Sequence, residues 1–83
     1  MIDVNGFKEW LINNTEYSTA VISDTISRVK RADKILPWYD DEVYIFRLEQ
    51  LDEYKKISCS VRSQIKRSVK WYFSYIKSKR DLH

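Results

Sequence analysis

One glycine (Gly6), one proline (Pro37), one cysteine (Cys59) and one histidine (His83) are all that 83 residues contain of these types. So few backbone breakers exclude a many-turned β-sandwich or barrel, and a single glycine rules out a Gly-rich phosphate cradle. One cysteine cannot close an intrachain disulfide, which excludes a stapled secreted scaffold. One histidine at the last position leaves no His/Cys cluster for zinc. The longest run free of Asp, Glu, Lys and Arg is Tyr17 to Ser23, far short of the ~20 apolar residues that span a bilayer. The opening Met1-Ile2-Asp3-Val4-Asn5 shows neither a basic segment nor an apolar run. Together these absences predict an intracellular, cytoplasmic domain with no signal peptide and no membrane partner.

What is present is enough to fold. The chain is 43% hydrophobic and 14% aromatic, too rich in large apolar side chains for a disordered segment. Its length allows one hydrophobic core and so one domain. Apolar periodicity predicts an all-α bundle of four helices. The first spans about Val4 to Asn13, with Phe7, Trp10 and Leu11 on one face and Gly6 weakening its start. The second begins at a Ser18 cap and runs to about Lys34, burying Ile22, Ile26 and Val29 before Pro37 stops it. The third, about Asp41 to Leu51, has a muddled pattern because Val43, Tyr44, Ile45 and Phe46 are consecutive. Acids in its first turn suit a helix N-terminus, and a lone strand there would lack a partner. Residues 52–57 read as a connection with room for a helical turn. The fourth, capped by Ser58 or Ser60 and running to about Lys79, aligns Val61, Ile65, Ser68, Val69, Tyr72 and Ile76.

The net charge of +3 hides an asymmetry. Residues 54–83 carry nine basic side chains and one acid, whereas residues 1–53 carry six basic and eleven acidic ones. Two basic clusters stand out: Arg28, Lys30, Arg31 and Lys34 on the second helix, and Arg62, Lys66, Arg67 and Lys70 on the fourth. Arg62, Lys66 and Lys70 follow i, i+4, i+8, and no acid lies between Ile57 and Lys79 to relieve their repulsion. A polyanion would relieve it, so these eight residues are the candidate DNA contacts, provided the clusters share a side. Ser23 and Ser27 can add phosphate hydrogen bonds. The competing reading is that both clusters only solvate helix faces.

Other constellations carry less. Trp71, Tyr72, Phe73 and Tyr75 offer base stacking or, more economically, core packing; Trp10 and Trp38 fit the latter, with Trp38 closing one end of the bundle. Cys59 has basic neighbours but no histidine to act as base, and reads as a small packing residue. The acids at Asp40, Asp41, Glu42, Asp52 and Glu53 lack calcium-loop spacing. No catalytic residue, metal ligand or cofactor site emerges, so the chain is not expected to be an enzyme.

The segments Tyr17-Ser18-Thr19-Ala20-Val21-Ile22 and Ile26-Ser27-Arg28-Val29-Lys30-Arg31 resemble the second helix of the N-terminal core-binding domain of tyrosine recombinases and phage integrases. The run from Val61 to Ile76 is similar to that domain's last helix, and Phe7 with Trp10-Leu11 fits its first. The resemblance covers about residues 5–78. It implies a four-helix, SAM-like orthogonal bundle that clamps double-stranded DNA, with Arg28, Lys30, Arg31, Arg62, Lys66 and Arg67 as contacts. It also implies either an excised domain, partnered by the separate catalytic domain of a parent protein, or a stand-alone DNA-binding relative, with no cleavage by this chain alone; self-association on DNA stays open in both. The alternative reading is a protein-interaction module that docks through the acidic third helix and exposed aromatics.

Overall fold

A computed structural model describes residues 2–81. All its regular structure is helical: α1 (Val4–Asn14), α2 (Thr19–Ile35), α3 (Val43–Gln50), α4 (Asp52–Lys55) and α5 (Cys59–Asp81). Four helices were expected; the fifth, α4, is a single turn within the connection between α3 and α5. No helix is long and apolar enough to cross a membrane among the described residues.

The boundaries follow from local chemistry. Asp3 caps α1 by accepting from the Gly6 N–H at 3.1 Å, and Ser18 caps α2 by accepting from Val21 at 3.3 Å. Ser58, not Ser60, caps α5, its hydroxyl accepting from the Val61 N–H at 3.4 Å. α3 starts two residues later than its acids suggested. Asp41 uses its carboxylate on the Val43 N–H at 2.9 Å, so Asp40, Asp41 and Glu42 precede the helix instead of forming its first turn.

Two apolar clusters share one core. In the first, Phe7 and Leu11 of α1 meet Ile22, Ile26 and Val29 of α2 and Tyr72 and Tyr75 of α5. In the second, Ala32 at the end of α2 meets Tyr44, Leu48, Tyr54, Ile65 and Val69. The N-terminal half of α2 therefore lies against the C-terminal half of α5. The muddled segment of α3 resolves by helical period: Tyr44 and Leu48 are buried four residues apart, while Val43 and Phe46 face outward, Phe46 at 65% exposure.

Trp38, expected to close one end of the bundle, packs against both clusters. It sits between the clusters, its ring 4.7 Å from Tyr72, 5.0 Å from Tyr44 and 4.5 Å from Phe73, all edge-to-face. Its backbone N–H donates to Asp33 Oδ1 at 2.8 Å, which fixes the chain just after Pro37.

Candidate nucleic-acid interface

The eight basic candidates fall into separate groups because each helix has two flanks beside its buried stripe. On α5, Arg62, Lys66 and Lys70 occupy the flank that faces α3 and its preceding acids. Lys66 Nζ lies 3.4 Å from Glu49 Oε1, and Lys70 lines a hollow with Asp40, Asp41 and Glu42. The repulsion along this stripe is thus relieved from within the molecule for Lys66, by an acid from a different helix that spacing within α5 could not reveal. Arg62 is half-buried; its Nε–H is enclosed with no acceptor, while Tyr54 Oη donates to its carbonyl at 3.0 Å.

Arg67 projects from the other flank. There it lines a groove with Arg28 of α2, so the two basic clusters do share one groove through this pair of arginines. Val21 and Thr25 continue the α2 wall, Tyr17 adds to it from just ahead of the helix, and Gln64, Ser68 and Trp71 form the α5 wall. The groove has a volume of about 210 Å³. No carboxylate lines it, and neither arginine has an ion-pair partner among the described residues.

One turn along α2, Arg31 and Lys34 line a second hollow, together with Lys56, Ile57 and the acid Glu53. Arg28, Arg31 and Lys34 thus follow one another at i, i+3, i+6 and extend the cationic band from the groove towards Lys56. Lys30 is exposed and lines neither hollow. Ser23 and Ser27 are exposed on α2.

Three groove or band residues were not singled out from the sequence, Tyr17 as a groove wall, Gln64 and Lys56, whereas Trp71 was read there as a base-stacking or packing residue. The signal was present for Gln64, since Gln64, Arg67 and Trp71 follow i, i+3, i+7 and share one stripe. Trp71 is half-buried against the first cluster, with the Trp10 and Tyr17 rings each 5.9 Å from its own. Tyr72 and Tyr75 are buried and belong to the core, as their packing role required. Cys59 is exposed at the start of α5 and is no packing residue; it lines a small hollow with Glu49, Tyr54 and Arg62. His83 lies outside the described residues. Among the described residues, no three His, Cys, Asp or Glu side chains gather to hold a metal ion.

The chain matches no protein-family model, no curated protein and no solved structure.

Proposed function

We propose that this chain binds double-stranded DNA through α2 and α5, as the helical, SAM-like core-binding part of an integrase-like recombinase. In this reading the catalytic domain of the parent protein does the strand chemistry and the helical domain supplies grip. The observation that carries it is the meeting of Arg28 and Arg67, from two different helices, at a groove without carboxylates. Guanidinium groups suit phosphate oxygens because their planar fork can donate two hydrogen bonds at once. Arg31, Lys34 and Lys56 extend the positive band, and phosphate contacts along it supply affinity with little sequence preference.

The test is fluorescence anisotropy of a labelled duplex of ~20 base pairs titrated at several salt concentrations. Four to five phosphate contacts give a log K against log salt slope of roughly −4. Arg28→Gln with Arg67→Gln is expected to reduce the slope by about 2, whereas Lys66→Gln, whose amine already faces Glu49, changes it by less than about 1. Circular dichroism checks the fold of each variant. Equal effects of the arginine pair and Lys66 would refute this interface. Absence of binding at low salt would favour the second reading, a protein partner on α3, for which the exposure of Phe46 at 65% and Val43 at 43% speaks.

A further inference from the structure

The groove between α2 and α5 is more than cationic, and its non-cationic half needs a reason. Arg28, Gln64 and Arg67 stand towards one end, Tyr17, Val21 and Trp71 towards the other. Along α5, Trp71 follows Arg67 by one helical turn, about 6 Å. A continuous duplex offers phosphates to the cationic end but keeps its base faces stacked, and so leaves the aromatic end unused. We propose that this groove takes one unpaired nucleotide, its phosphate held between Arg28 and Arg67 and its base laid on the Tyr17–Trp71 corner. This rests on the DNA-binding reading and deepens it, giving the interface a preference for duplex that carries a single-stranded segment.

Four features fit such an occupant. The rings of Tyr17 and Trp71 stand at 80°, edge to face, so they do not cover a face of each other as a parallel stack would cover both, and Tyr17 is 37% exposed. Any base can stack on such a face, since every base has one. Gln64 is exposed at the rim and carries both a donor and an acceptor for a base edge. At about 210 Å³ the groove is smaller than the roughly 300–1,000 Å³ of pockets that enclose a whole small molecule. It suits one unit of a longer polymer whose neighbours lie outside on the α2 band. The charge is complementary as well, because two cations line the groove and no acid does.

The experiment compares a blunt labelled duplex with the same duplex bearing a short oligothymidine overhang, using the full chain. The wild type is expected to bind the overhang form about 10-fold more tightly, in line with stacking of a single base. Tyr17→Leu keeps an apolar contact for Trp71 but removes the exposed ring; it is expected to erase that preference and leave blunt-duplex affinity within about twofold. Gln64→Ala, on an exposed helix position, is expected to reduce the preference in part, which guards against a Tyr17 variant that fails to fold. Equal wild-type affinity for both probes overturns this inference and leaves duplex binding standing. A preference that survives both substitutions overturns it too, as does a Tyr17→Leu loss of equal size on both probes. Binding to neither probe overturns this inference and the duplex reading together.

Discussion

At the scale of single residues, the tightest constraint gathers around Asp3. Its N–H donates to Tyr72 Oη at 2.8 Å, while its carboxylate accepts from Tyr75 Oη at 2.6 Å and from the Gly6 N–H at 3.1 Å. Those bonds, the Tyr75 hydroxyl first, hold the Asp3 carboxyl below its ordinary value against the opposing effect of partial burial. They also explain the only glycine. A Cβ on Gly6 would collide with Tyr75 Oη and the Asp3 carboxylate, so this position needs the absence of a side chain for a close approach and not for backbone freedom. Alanine ordinarily strengthens a helix relative to glycine by about 1 kcal/mol. Here the sign is expected to reverse, with Gly6→Ala destabilising by about 1–3 kcal/mol through overpacking. Removing the Tyr75 hydroxyl clears part of the space, so Gly6→Ala with Tyr75→Phe is expected to cost less than the two changes summed. Urea denaturation of the four proteins measures this coupling, and strict additivity would dismiss the close approach. From the sequence, Gly6 read only as a weak helix start. The partner hydroxyl is far away along the chain, and periodicity within one helix says nothing about which distant atom arrives.

At the scale of elements, the buried stripes of α1, α2 and α5 were legible because 3.6-residue periodicity reports directly which side faces a core. Phe7, Leu11, Ile22, Ile26, Val29, Ile65, Val69 and Tyr72 are all buried. The basic clusters on α2 and α5 were legible as composition, but not their sorting. Which flank of α5 meets acids depends on where α3 lies, and the pairing of Lys66 with Glu49 is a tertiary fact. The same limit applies to Trp38, which lies in a connection that carries no period. Bridging both clusters, it couples two halves that otherwise share only α2 and α5. Trp38→Ala is expected to cost about 3 kcal/mol, the low end for large aromatics because the residue is only half-buried. It is also expected to lower the urea m-value, as the α3–α4 half loosens before the α1 half. An unchanged m-value with a loss under about 1 kcal/mol would show that Trp38 caps one cluster and links nothing.

At the scale of the whole molecule, tyrosine hydroxyls tie the helices to one another. Tyr75 of α5 donates to Asp3 ahead of α1, Tyr44 of α3 to the Leu36 carbonyl at 2.6 Å just past α2, and Tyr54 of α4 to the Arg62 carbonyl of α5. Each of these joints requires a protonated phenol, and burial disfavours the phenolate at all of them. Burial pushes Tyr75 up to about 12, with the Asp3 hydrogen bond adding to it, and raises Tyr44 and Tyr54 as well. Burial raises Tyr72 too, against the Asp3 N–H bond, which favours its ionised form. In the unfolded chain a phenol ionises near 10. The folded protein therefore holds these protons more tightly than the unfolded one, so the contribution to stability is complete below about pH 10 and falls as the pH rises towards 12. The melting temperature is expected to drop steeply over that window, with tyrosinate absorbance rising cooperatively with the loss of helical circular dichroism. Four phenols acting together make the drop steeper than any one joint could, and Tyr75→Phe is expected to make it shallower by removing one titrating proton. A melting temperature flat to pH 12, or phenolate appearing while the helices remain intact, would mean that the joints tolerate ionised phenols and that apolar packing alone holds the five helices together.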